Sequence, residues 1–499
     1  MPDDPLAERR PDDAEAAAVA ADERPATFRD VFGVREFRAL YLACSISWLG
    51  DYLARAAITV LVYQQTRSVL LSAVSFAVSY LPWIVGGPLL AAVAERYPYR
   101  RVMVVCDLAR MVLIAVVAIP GLPVAAMLVL LFMATLLNPP TDAARSALMP
   151  LILSRDRLVV GLAVSASTGQ AAQVVGYLAG ATLAVAVNPR LAIAFDALTF
   201  GVSAVLILVG IRSRPPAVTP AHRRHLLRET GDGFRLVFGS RVLRSIAVLV
   251  FTITLFAIVP EGLAAAWAQQ STPDHGHRGV AQGLIMAATP VGFILGGVLI
   301  GRFMAPARRR RLIRPFAVIA PLALVPALTA PSAPVVALMA MISGFAVAGL
   351  MPTLNGMFVL ALPHGFRARA FGVMQGGLQI SQGGAVLATG LLAERFALPT
   401  VVGAWSVGGT LLMLLVTSRW PNPAAFDAAN TEAMERATDA GPATAAGARP
   451  ARPAGPPTEP VRTPTEPAGT PVEPGATRVT PGGRYDVLSP PPAAGRMDR

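Results

Sequence analysis

Gly86–Arg101 reads GGPLLAAVAERYPYRR, and Gly296–Arg311 reads GGVLIGRFMAPARRRR, 210 residues later. Both open on Gly-Gly-x-Leu, both close on paired arginines, and each follows a long apolar stretch. Further on, Pro139 and Pro150 have counterparts in Pro352 and Pro363, at an offset of 213. A unit that repeats at this distance with the same polarity predicts two halves of like orientation. Parallel six-helix repeats with a binding site at their interface are a transporter architecture.

Working outward, apolar spans fall at roughly 38–62, 70–94, 101–120, 124–146, 158–184 and 190–211. A second six follow at roughly 245–268, 279–303, 313–330, 335–359, 368–393 and 399–418. A transmembrane helix needs about 20 apolar residues. In lipid, only helices or closed barrels satisfy the backbone, and spans of this length mean helices. The expectation is an all-α polytopic membrane protein with twelve transmembrane helices in two pseudo-symmetric six-helix halves. The expected organisation is an N-terminal tail (1–37), a first bundle (38–211), an Arg-rich central loop (212–244), a second bundle (245–418) and a Pro/Ala/Gly-rich tail (419–499). That last stretch cannot bury a core, which predicts disorder.

Composition agrees. Of 499 residues, 54% are hydrophobic and 15% charged, where a soluble protein would carry about a quarter charged. The net charge of +13 rests entirely on arginine, since the chain has no lysine. Such charge raises the question of a nucleic-acid partner. Placement answers it: the arginines gather in alternate short loops. Eight lie between spans six and seven, from Arg212 to Arg244, and six flank the loop between spans eight and nine, from Arg302 to Arg314. Arg96, Arg100 and Arg101 fill the loop after span two. The intervening loops hold one arginine at most, so the positive-inside rule predicts cytoplasmic termini in a cell membrane. Lipid headgroups, not nucleic acid, are the expected partner of these charges. No partner protein is implied.

Other chemistries find no support. Cys44 and Cys106 both sit in apolar segments, and the outer-loop Asp274-His275-Gly276-His277 lacks further ligands, so neither a disulfide framework nor a metal site is expected. No phosphate loop can form without lysine, and no nucleophile–base constellation stands out. The expectation is a carrier without enzymatic activity or cofactor, driven by an ion or solute gradient.

The loop after span two resembles the signature of the major facilitator superfamily, G-x-L-a-D-r-x-G-r-k. Ala91-Ala92-Val93-Ala94-Glu95-Arg96-Tyr97-Pro98-Tyr99-Arg100 aligns with it. Arg96 and Arg100 match, Glu95 replaces the acid, and Ala91 and Pro98 stand where the family has glycines. Trp48-Leu49-Gly50-Asp51, Ala144–Pro150, Phe195–Phe200 and Phe366–Gly372 are similar to segments of macrolide-efflux and siderophore-exporter-like members. The drug-antiporter signature of span five is not reproduced: Tyr177 stands at its proline position. The resemblance implies a secondary transporter working by alternating access, a proton-linked exporter of amphipathic drugs or secondary metabolites. A proton-coupled importer on the same fold, and a non-transporting scaffold using the Pro-rich tail, are the alternatives.

Charge at mid-bilayer costs roughly 2.5–3.5 kcal/mol on insertion scales, so intramembrane acids need a reason. Asp51 lies mid-span with Arg55 one turn on and Trp48 and Tyr52 beside it, either a proton-titrating or substrate-facing acid or half of an intrahelical ion pair. Glu261, after Pro260, is a second proton-site candidate, with a surface-reaching acid as the alternative. Asp196 is a candidate for the cavity or for helix packing. Asp107 with Arg110 and Asp142 with Arg145 form i,i+3 pairs, expected near the cytoplasmic helix ends. With Glu95, Arg96, Arg100 and Arg101 they would form the cytoplasmic gate that the resemblance implies. Gln170, Gln173, Gln375, Gln379 and Gln382 recur at helical spacing on spans five and eleven, and Asn355 lies in span ten. Bridging between helices and contact with a polar substrate are both open to these amides.

Overall fold

A computed structural model describes residues 26–82, 96–153, 155–214, 226–362 and 367–422, with residues 426, 428 and 431. Among these residues every regular element is helical. A capped turn, α1 (Phe28–Phe32), precedes α2 (Arg35–Thr66), α3 (Val69–Ala77), α4 (Tyr99–Val117), α5 (Val124–Thr135), α6 (Asn138–Ile152), α7 (Arg155–Ala186) and α8 (Pro189–Gly210). Then come α9 (Leu226–Gly239), α10 (Arg241–Ala257), α11 (Val259–Ser271), α12 (His275–Phe303), α13 (Pro306–Leu322), α14 (Ala333–Leu360), α15 (Arg367–Leu392) and α16 (Leu398–Ser418).

Each of the twelve expected spans falls on one of these helices or on a consecutive pair, the second only in part because 83–95 lie outside the described residues. Among the described residues, eight stretches are long and apolar enough to cross a bilayer, from Val124–Ile152 to Leu398–Ser418. Helices α2, α4 and α15 are not among the eight, and each carries charged or amide side chains in mid-helix.

Two differences from the expected spans have local causes. Span four divides into α5 and α6 at Asn138-Pro139-Pro140, where two missing N–H groups and fixed φ favour a helix start. Span seven divides at Ile258, and Pro260 lies in the first turn of α11. The central Arg-rich loop also holds a helix, α9, whose Gly233 approaches the backbone of Arg369 on α15. After it, α10 begins at Arg241. At the arginine-rich end, Glu36 at the start of α2 accepts from the Arg212 N–H and from Arg214 Nη2 at 2.5 Å, tying it to the chain leaving α8.

Glycines set how closely the helices meet. A Cβ on Gly176 or Gly180 of α7 would collide with α2 around Tyr52 and Leu53, and one on Gly292 or Gly344 would collide with the backbone between α12 and α14. Gly279 and Gly283 of α12 lie likewise against Ala181 and Leu178 of α7. Small residues are what allow helices to pack closely in lipid, where the hydrophobic effect does not drive them together. Large apolar side chains such as Val209, Phe303 and Leu411 face outward instead.

The set from α2 to α8 and the set from α10 to α16 are joined chiefly where α7 meets α12 and where α3 meets α11 and α15. Among the described residues, every side-chain hydrogen bond between the sets lies in the half of the bundle farther from the arginine-rich loops. Gln282 Nε2 donates to Ala56 O and Thr59 Oγ1, both at 3.1 Å, and Gln270 Nε2 donates to Tyr63 OH at 3.4 Å. Glu394 accepts from Ser68 Oγ at 2.6 Å and from the Leu70 N–H at 2.9 Å. A shared core of Tyr63, Phe76, Tyr177, Leu263, Trp267 and Ile285 closes that end.

Candidate functional site

Between the two sets lies a cavity of about 580 Å³, within the range of small-molecule sites. All but one of its charged side chains come from the first set. Asp51 stands midway along α2, and Gly50 before it lets α2 pack onto Asp196 and Thr199 of α8 without a side chain between them. Asp51 Oδ1 lies 2.6 Å from Nη2 of Arg110 on α4. The Arg110 guanidinium rests 4.0 Å from the centroid of the Phe200 ring, and Asp107 and Asp196 stand within its electrostatic reach. Ser203 donates to Asp107 at 2.7 Å, and Thr199 donates to the Asp196 carbonyl at 2.7 Å. Asp107, Arg110 and Asp196 are all buried, while Asp51 keeps part of its surface open to the cavity. One acid thus pairs with Arg110, and two more buried acids stand in its electrostatic surroundings.

The intrahelical Asp51–Arg55 pair is not formed. Arg55 lies among Tyr52, Phe76 and Tyr80, its guanidinium carbon 5.5, 5.7 and 5.9 Å from their ring centroids. Asp51 turns instead to Arg110, and ring faces take the place of the carboxylate beside Arg55.

The expected position of Asp107 and Arg110 near a helix end is also corrected. Both sit in the middle of α4 and line the cavity, and the ion pair of Arg110 is with Asp51, not with Asp107. Because α4 already begins at Tyr99, the two residues stand about two to three turns inside it. Asp142 and Arg145 do pair, at 3.0 Å, with Arg145 over the Trp48 ring at 4.7 Å, but they too face the cavity. Arg96 and Arg101 are exposed and Arg100 half-buried, none of them lining the cavity; Glu95 lies outside the described residues. The gate set inferred from sequence is thus divided between the cavity wall and the helix end.

The second set contributes one acid. Glu261 in the first turn of α11 is 4% exposed. It faces the Tyr177 and Thr289 hydroxyls and Arg55, yet its Oε2, Tyr177 OH and Thr289 Oγ1 make no hydrogen bond of normal geometry. The surface-reaching alternative for Glu261 is excluded by this burial.

The amides Gln170 and Gln173 on α7, with Gln375, Gln379 and Gln382 on α15, line the cavity. Among the described residues, none of the five makes a hydrogen bond between helices. Gln282, which sequence reasoning did not single out, does that task, buried between α12 and α2. Asn355 is exposed and lies away from the cavity. Tyr80, Tyr177, Thr289 and Phe200 were missed as site residues as well. Phe200 stands inside a stretch that carries the resemblance, and Tyr177 at a noted departure from it, but nothing in their spacing says which helix they meet.

Fold and site together define a class: an all-helical polytopic membrane protein with a charged and amide-lined cavity between two sets of helices, the major facilitator fold. Residues 40–270 match the model of the Major Facilitator Superfamily. The structure is similar to that of the nucleoside transporter NupG (TM-score 0.61, 16% identity, 76% of this chain and 99% of that one). It is similar too to a POT family transporter in complex with 5-aminolevulinic acid (TM-score 0.63, 10% identity, 77% and 96%). A peptide transporter POT in complex with sulfate gives a TM-score of 0.61 at 14% identity over 81% and 97%. At these identities the likeness is one of fold. No curated protein gives a significant sequence match.

Proposed function

We propose that the chain is a member of the major facilitator superfamily and a secondary active transporter, a proton-linked exporter of drugs or secondary metabolites. The observation that carries this reading is the Asp51–Arg110 pair, a mid-membrane carboxylate partly open to a cavity closed at one end. A carboxylate that exchanges a guanidinium partner for a proton changes the charge of the cavity, and a ligand that favours one charge state then biases one conformation. Glu261, buried at the junction of the two sets, is the second proton site. The Arg-rich loops favour cytoplasmic termini in a bacterial cell membrane, so the hydrogen-bonded closed end faces outward and this conformation admits cargo from inside. Rocking of the two sets would break the Ser68–Glu394 and Gln282–Thr59 contacts and open the outer side.

The test is transport in energised vesicles with and without a protonophore, for wild type and Asp51→Asn. Transport that survives collapse of the proton gradient overturns the coupling. Accumulation from outside instead of expulsion would favour the importer.

A further inference from the structure

Resting on the transporter reading, we propose that Arg55 is the receptor for an anionic oxygen group, carboxylate or phosphate, on the transported solute, and that α15 holds the solute's neutral body by its amides. Three arginines line the cavity. Arg110 is paired with Asp51 and Arg145 with Asp142, whereas no carboxylate among the described residues comes within 4.0 Å of Arg55. Its guanidinium is instead positioned by Tyr52, Phe76 and Tyr80, which shape a recess around the fork without neutralising it. Charge withdrawn from water and left uncompensated is costly, so an incoming anion gains more here than at a paired arginine. The acid facing Arg55, Glu261, stands beyond pairing distance with one oxygen unbonded. On α15, which also lines the cavity, Gln375, Gln379 and Gln382 follow one helix face at spacings of four and three, all without hydrogen bonds to other described helices. Amides at this spacing match a solute rich in hydroxyl or amide groups, not a lipophilic cation.

The experiment uses purified full-length protein in detergent and thermal melting with sodium benzoate, phenyl phosphate or benzamide at matched ionic strength. The anions should raise Tm by about 1–2 °C at ten times their Kd, and benzamide should not. The anion that stabilises more strongly identifies carboxylate or phosphate as the group recognised. Arg55→Gln should abolish the shift, and Arg55→Lys should reduce it because the planar fork is lost. As a measure that needs no variant, phenylglyoxal labelling of Arg55 in the wild type should be slowed by the anions and not by benzamide. Equal shifts from benzoate and benzamide, no shift from either anion, or a shift that survives Arg55→Gln overturns the proposal. Failure of proton coupling in vesicles leaves these outcomes untouched, so the two readings fail separately.

Discussion

Arg110 on α4 reaches across to Asp51 on α2 and binds its Oδ1 at 2.6 Å, while Phe200 of α8 lies beneath the guanidinium. Three helices of the first set are thereby fixed to one another through one buried guanidinium. Removing one partner of a buried pair leaves the other uncompensated, which costs roughly 3–5 kcal/mol. Arg110→Ala, which strands Asp51, Asp107 and Asp196 together, should lower the melting temperature of the detergent-purified protein far more than Asp51→Asn, which leaves Arg110 two acids. Equal melting temperatures for the two variants would remove the central role given to Arg110.

Close helix approach is a second point of attack. A side chain on Gly50 would meet Asp196 and Thr199, whereas one on Gly356 of α14 would meet nothing. Gly50→Val should therefore destabilise by about 1–3 kcal/mol through overpacking. Gly356→Ala should be neutral or stabilising by about 0.4–1 kcal/mol, through the lost freedom of the unfolded chain. Thermal melting of the two variants reads both effects.

The contact of Glu394 with Ser68 and Leu70 gives a pH dependence. Glu394 lies beyond the end of α15, and hydrogen bonds from the Ser68 hydroxyl and the Leu70 N–H hold its carboxyl below the usual carboxylate range. A group whose pKa is lowered by a contact stabilises that contact above its unperturbed pKa and loses the effect as pH falls through the lowered value. Closure at this end should thus be complete at neutral pH and weaken under acid, below about pH 4.3, the ordinary glutamate value. Spin labels at Thr66→Cys and Arg395→Cys, in a chain whose Cys44 and Cys106 are replaced by serine, should report a short separation at neutral pH and a longer one in acid. Glu394→Gln should abolish that response. An acid response that persists in Glu394→Gln would place the titrating group elsewhere.

Residues 432–499 lie outside the described residues and hold none of the groups given to the cavity. Truncation after Thr431 should leave transport close to that of the full chain, read as vesicle flux at equal protein, because the segment removed supplies no residue of the cavity. Loss of function on truncation would instead favour the scaffold.

The fold was legible because hydropathy and the 210-residue repeat act over whole spans, and a shift of a few residues does not alter them. The site was legible only in part. Asp51, Asp196 and Glu261 announce themselves as charges in apolar surroundings, but charge alone does not name a partner. The i,i+4 spacing of Asp51 and Arg55 suggested a local pair, and the tertiary partner Arg110, 59 residues away, prevailed. Likewise the amide ladder of α15 left helix bridging open, while the bridge belongs to Gln282, a lone amide with no pattern around it.

The central claim is that a proton gradient drives solute through this cavity by way of Asp51. The most direct measurement takes a compound to which expressing cells become more tolerant and follows its uptake into inverted, energised vesicles. Uptake should be abolished by a protonophore and by Asp51→Asn, while Asp51→Glu retains part of it. Uptake that continues unchanged after the proton gradient is collapsed would contradict the account.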